Sequence, residues 1–148
     1  MSYGVELAKK LASTTKPVRV AIVANMIKMA ASASGAADLF RQVLNQAQFP
    51  DTAIDLTLQL NVSRTVDQGQ INRLCRWATT QMQLLAVQIG PDGVATPVVT
   101  AVEHGLALMA DVNTAPTFDL NDANLAFDLL AAEVAEIISS GYARLTAA

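Results

Sequence analysis

Between Ala53 and Val66 the chain alternates: Ile54, Leu56, Leu58, Leu60 and Val62 are apolar, while Asp55, Thr57, Gln59, Asn61 and Ser63 are polar. Successive side chains of an extended chain point to opposite faces, so a period of two requires a strand near 53–66 with one buried face. On a helix the same five apolar side chains would scatter. The strand needs an apolar partner, and much of the remaining chain repeats at helical spacing. Ile71, Leu74, Cys75, Ala78, Met82, Leu85 and Ile89 fall in one arc of roughly 100° on a helical wheel, which predicts a helix over 70–89.

The other segments extend the helical reading. From Val18 to Ala33 apolar residues cover nearly every angle, leaving a narrow polar stripe of Asn25, Lys28 and Ser32, as a buried helix requires. The run VRVAIV fits a strand, but its length and the following NMIKMAASA favour a helix. Ala36, Phe40, Val43, Leu44 and Ala47 define another helix, ending before Pro50. Residues 1–16 form either an N-terminal arm or a short helix over 3–14, with Ser2 at its cap and Glu6 facing Lys10.

Gly90, Pro91, Asp92 and Gly93 are turn residues. Val87 and Ile89 before the turn and Val94 and Thr96 after it suggest a short hairpin within 86–97. Thr96 and Pro97 then read as the N-cap and first position of a helix bearing Val98, Val102, Gly105 and Met109. Residues 111–118 read as loop. Asp119 or Asn121 caps the last helix, whose face is Phe127, Leu130, Val134, Ile137, Ile138, Gly141 and Leu145. Asp119 and Asp122 stand at its positive end and Arg144 at the other. The expected fold is mainly α: a single domain over 1–148, a bundle of five to six helices with a minor β element.

Composition supports one sizeable core. The 148 residues are 52% apolar but only 5% aromatic, and alanine makes up most of the difference. One cysteine excludes an internal disulfide framework. The opening MSYGVELAKK carries an acid and two lysines where a signal peptide has its apolar stretch. A cytoplasmic setting follows, or a virion if the chain is a phage component. Charges interrupt the greasy stretch from Val18, so no membrane span is expected. Apolar residues exceed what one small core absorbs, and oligomerisation would hide the remainder.

Candidate chemistry is sparse. His104 is the only histidine, which rules out a two-histidine metal site, and it reads as a surface or packing residue. Cys75 lies inside a core stripe and reads as a small hydrophobe rather than a nucleophile. The run Asp119–Asn124 opens like a calcium loop but lacks its glycine, so it reads as helix capping. Asn61–Val62–Ser63 spells a glycosylation sequon, of no use to a cytoplasmic chain. No catalytic residue, cofactor or metal is expected, and the chain reads as non-enzymatic.

Charge is distributed unevenly. Residues 1–76 carry nine bases against five acids, a net of +4, and residues 77–148 carry one base against eight acids, a net of −7. Such polarity lets one copy meet another, Lys9, Lys10, Lys16 and Arg19 facing Asp122, Asp128, Glu133 and Glu136 of a neighbour. On the helix expected over 70–89, Trp77 and Leu84 fall together beside Arg73. On the last helix Leu125 and Leu129 lie opposite the core face. Both patches have the composition of protein–protein anchors. The expected function is structural, a self-assembling homo-oligomer of the kind used in virions or phage tails. One alternative is a small-molecule-binding or enzymatic domain with a pocket lined by Met26, Met29, Met82 or Met109. Another is a nucleic-acid-associated adaptor using the basic N-terminal segment.

Overall fold

The computed structural model describes residues 6, 7, 9, 10, 17–45 and 47–140. The elements in chain order are β1 (Ala21–Ala30), α1 (Ala33–Val43), β2 (Thr57–Val66), β3 (Gly69–Ile89), β4 (Ala95–Thr114) and α2 (Ala123–Ser140). The strands form one antiparallel sheet in the order β1-β4-β3-β2. Of the described residues 48% lie in strands and 26% in helices, which overturns the expected helical bundle. The segments expected as helices over 18–33, 70–89 and 97–109 are β1, β3 and β4. The loop expected over 111–118 begins only after Thr114. The arm or helix expected over 1–16, and the ends of the last helix at Gly141, Arg144 and Leu145, lie largely or wholly outside the described residues.

The physical reason is that β1, β3 and β4 carry apolar side chains on both faces along much of their length. A two-faced strand shows no alternation, and its apolar residues then populate any helical wheel. Only β2, with one exposed face, keeps the clean period of two. The turn at Gly90–Gly93 is present, but the hairpin arms it joins run to 21 and 20 residues.

The chain divides into two compact units. The first comprises the described residues up to Asn25, Gln59–Arg76, and Leu108 onward. Its core is Ile71, Cys75, Ala110, Val112, Ala126, Leu130, Val134 and Ile137, all buried. Asp122, rather than Asp119 or Asn121, caps α2, its carboxylate accepting from the Asn124 and Leu125 N–H groups at 3.0 and 3.1 Å. Alternation places Arg73 on the inward face between Ile71 and Cys75, where it lies 3.7 Å from the Glu133 carboxylate of α2. Arg64 of β2 bonds the same carboxylate. On the opposite face Ser63, Asn72, Asn113 and Asp111 form a hydrogen-bonded row across β2, β3 and β4, with contacts of 3.2, 3.2 and 3.0 Å.

The second unit comprises Met26–Leu58 and Trp77–Ala107. Ala36, Ala37 and Phe40 of α1 are buried, as are Leu44, Leu56, Trp77 and Leu106. Ser32 caps α1, accepting from the Gly35 N–H at 3.1 Å. Phe40 meets Phe49 edge to face, with ring centroids 5.1 Å apart. Arg41 donates to the carbonyls of Pro50, Asp51 and Ala53 at 2.9, 3.0 and 2.7 Å, fixing the segment that leads into β2. β1 runs so close to β4 that a Cβ on Gly105 would stand 2.8 Å from the Lys28 carbonyl oxygen.

Candidate functional site

The feature of the second unit that is not explained by its own packing is the ribbon formed by the ends of β3 and β4. Gly90 donates to the Val94 carbonyl at 2.9 Å, and Gly93 takes the positive φ of 77° that closes the turn. Thr96 and Thr100 donate through their hydroxyls to the Gln88 and Leu84 carbonyls at 3.3 and 3.0 Å, fixing the register. Paired residues share a face. One face therefore carries Leu84, Ala86, Val98 and Val102 among Gln88, Thr96 and Thr100. The other carries Leu85, Val87, Ile89, Ala95, Pro97, Val99 and Ala101, with Gln83, opposite Ala101, as its one polar side chain.

Both faces are open. Val87 and Ile89 are 69% and 71% exposed, and Leu84, Leu85, Val94, Val98, Val99 and Val102 are exposed as well. Between Arg76 and Glu103 the only charge is Asp92, at the tip of the turn, where its carboxylate accepts from the Val94 N–H at 3.1 Å. Contiguous apolar surface of this kind marks an interaction site.

The residues expected at a partner interface are dispersed. Trp77 is 1% exposed, because strand alternation turns it inward and sends Leu84 to the opposite face. Arg73 is buried against Glu133. Leu84 and Leu125 are exposed, and Leu129 is half-buried. Among the charges proposed to act between copies, Lys9 holds Asp128 at 2.5 Å, and this carboxylate raises the lysine pKa above its ordinary value. Asp122 is the α2 cap and Glu133 is buried. Lys10, Arg19 and Glu136 are exposed, and Lys16 lies outside the described residues.

The residues missed by sequence reasoning are Leu85, Val87, Ile89, Val94, Val98, Val99 and Val102. Their signal was the long charge-free stretch split by a Gly-Pro-Asp-Gly turn.

A cleft of about 210 Å³ in the same unit is lined by Asp55, Thr79, Thr80, Gln81 and His104 beside the start of α1. Its volume is below the ~300 Å³ at which drug-sized ligands are enclosed. None of Met26, Met29, Met82 and Met109 lines it. Burial pushes the Cys75 thiol up to about 11, with Arg73 opposing, so the sulfur is protonated at neutral pH and is no nucleophile. The described residues contain no group of three or more His, Cys, Asp or Glu placed to hold a metal ion, and no helix long and apolar enough to cross a membrane.

The chain matches no protein-family model, no curated protein and no solved structure.

Proposed function

We propose that this protein is a structural subunit that self-associates, with the β3–β4 ribbon as its contact surface. The observation that carries this reading is a ribbon with large aliphatic side chains exposed on both faces, within a stretch between Arg76 and Glu103 that holds one charge. The eight large aliphatic side chains of the ribbon alone expose on the order of 700 Å², close to the ~800 Å² that each partner buries in a standard interface. A contact built this way is driven by removal of apolar surface from water and is not screened by salt. It differs in that respect from pairing between the basic and acidic halves, two of whose members, Lys9 and Asp128, already meet within one chain.

Light scattering after size exclusion tests the proposal. The natural chain is expected to run as an oligomer at both low and high salt, and a Val87→Ser, Val99→Ser variant as a folded monomer. A natural chain that is monomeric at every concentration overturns the reading. An oligomer that dissolves in salt while tolerating the ribbon substitutions would return the contact to the charged segments.

A further inference from the structure

The backbone of the ribbon distinguishes its two edges. In an antiparallel pair the N–H and C=O groups of alternate residues point to alternate sides of a strand. Gly90 bonds Val94, so the even-numbered residues of β3 face β4. Thr79 donates to the Leu56 carbonyl on the other side at 2.9 Å, so the odd-numbered residues face away from β4. Leu56 directly precedes β2, and β3 from Met82 to Ile89 therefore runs past the end of that strand. Along this stretch Gln83, Leu85, Val87 and Ile89 present backbone donors and acceptors at an edge that no strand of the described residues covers. Met82–Ile89 contains no charge, no proline and no glycine. It lacks the devices by which exposed edges are usually kept from pairing.

The β4 edge is built differently. Val94 faces β3, so the odd-numbered residues of the neighbouring stretch face outward, and Pro97 is among them. It has no N–H to offer, so the row of donors on that edge is broken.

We propose that two copies of the chain join antiparallel along the β3 edge, Met82–Ile89 against Met82–Ile89, making one continuous sheet about a two-fold axis. This rests on the self-association reading and specifies its geometry. A second copy is the occupant because an uninterrupted edge is its own complement: the same alternation of donors and acceptors, turned by 180°, satisfies itself, and such a contact closes at two. The junction also brings apolar side chains of both copies together on both faces, consistent with the exposed area that the ribbon offers.

Residue-resolved amide hydrogen exchange on the natural chain, across a dilution series, reads the edge directly. The amides of Gln83, Leu85, Val87 and Ile89 are expected to gain at least about tenfold protection as the oligomer forms, while those of Ala95, Val99 and Ala101 do not. Val87→Pro removes an outward N–H that pairs with no strand of the described residues and is expected to abolish the oligomer, whereas Ala101→Pro on the β4 edge leaves it intact. An oligomer whose four β3 amides still exchange freely, or one broken by Ala101→Pro and spared by Val87→Pro, overturns the edge assignment and leaves self-association standing. A monomer at every concentration overturns both. If the proline variants do not fold, the exchange pattern of the natural chain decides alone.

Discussion

Cys75 shows how far a single position was legible. Its apolar neighbourhood marked it as a core residue, and it is fully buried, although on a strand. The element was misread because Arg73, two residues earlier on the same inward face, breaks the apolar alternation Ile71, Cys75, Trp77. A buried arginine is explained only by its acid, and Glu133 is 60 residues away in sequence. The thiol carries a consequence for stability. Burial favours its neutral form and moves its pKa from 9.0 to about 11. The raised value means that the protonated thiol contributes its full stability below pH 9 and loses it as pH rises towards 11. Relative to a Cys75→Ala variant, the natural chain should lose about 1 kcal/mol per pH unit between those limits. Urea unfolding at pH 8 and 10.5 measures the difference, and equal slopes for the two proteins would show that the thiol ionises freely.

At the level of elements, legibility followed the number of faces that carry apolar side chains. β2 shows its period of two because only one side is covered, and the expected strand at 53–66 overlaps it closely. α1 and α2 were visible from their helical spacing, with shifted ends and with different caps, Ser32 and Asp122, from any the sequence singled out. β1, β3 and β4 were hidden because apolar side chains on both faces erase the pattern that separates strand from helix. The joint between α2 and the sheet was invisible for a different reason, since it depends on long-range pairing. There Glu133, 4% exposed, meets Arg64 and buried Arg73. Removing one partner of a buried pair leaves an uncompensated charge, so Glu133→Ala should cost about 3 to 5 kcal/mol in chemical denaturation. The double variant Glu133→Leu, Arg73→Met, which removes the ion pair and fills its volume, should recover most of that loss. A single variant as stable as the natural chain would show that the triad holds nothing together.

Across the whole molecule, the division of charge was plain in the sequence but its use was not. Some of the acids and bases that suggested contact between copies serve inside one chain, at the α2 cap, in the Lys9–Asp128 pair and around Glu133. The charge-free stretch between Arg76 and Glu103 proved more informative than the charged ends, because absence of charge is what leaves two strand faces sticky. That makes Asp92 a gatekeeper. It is the one charged side chain of the ribbon, so two ribbons meeting tip to tip would bring like charges together, and the closed edge-to-edge pair proposed above would be favoured over such a contact. An Asp92→Asn chain keeps an acceptor for the Val94 N–H and changes little but the charge. It should fold normally by circular dichroism and yet, at equal concentration, cloud sooner on warming. On the proposed contact, the carboxylate at the turn would set the line between a closed pair and a precipitate.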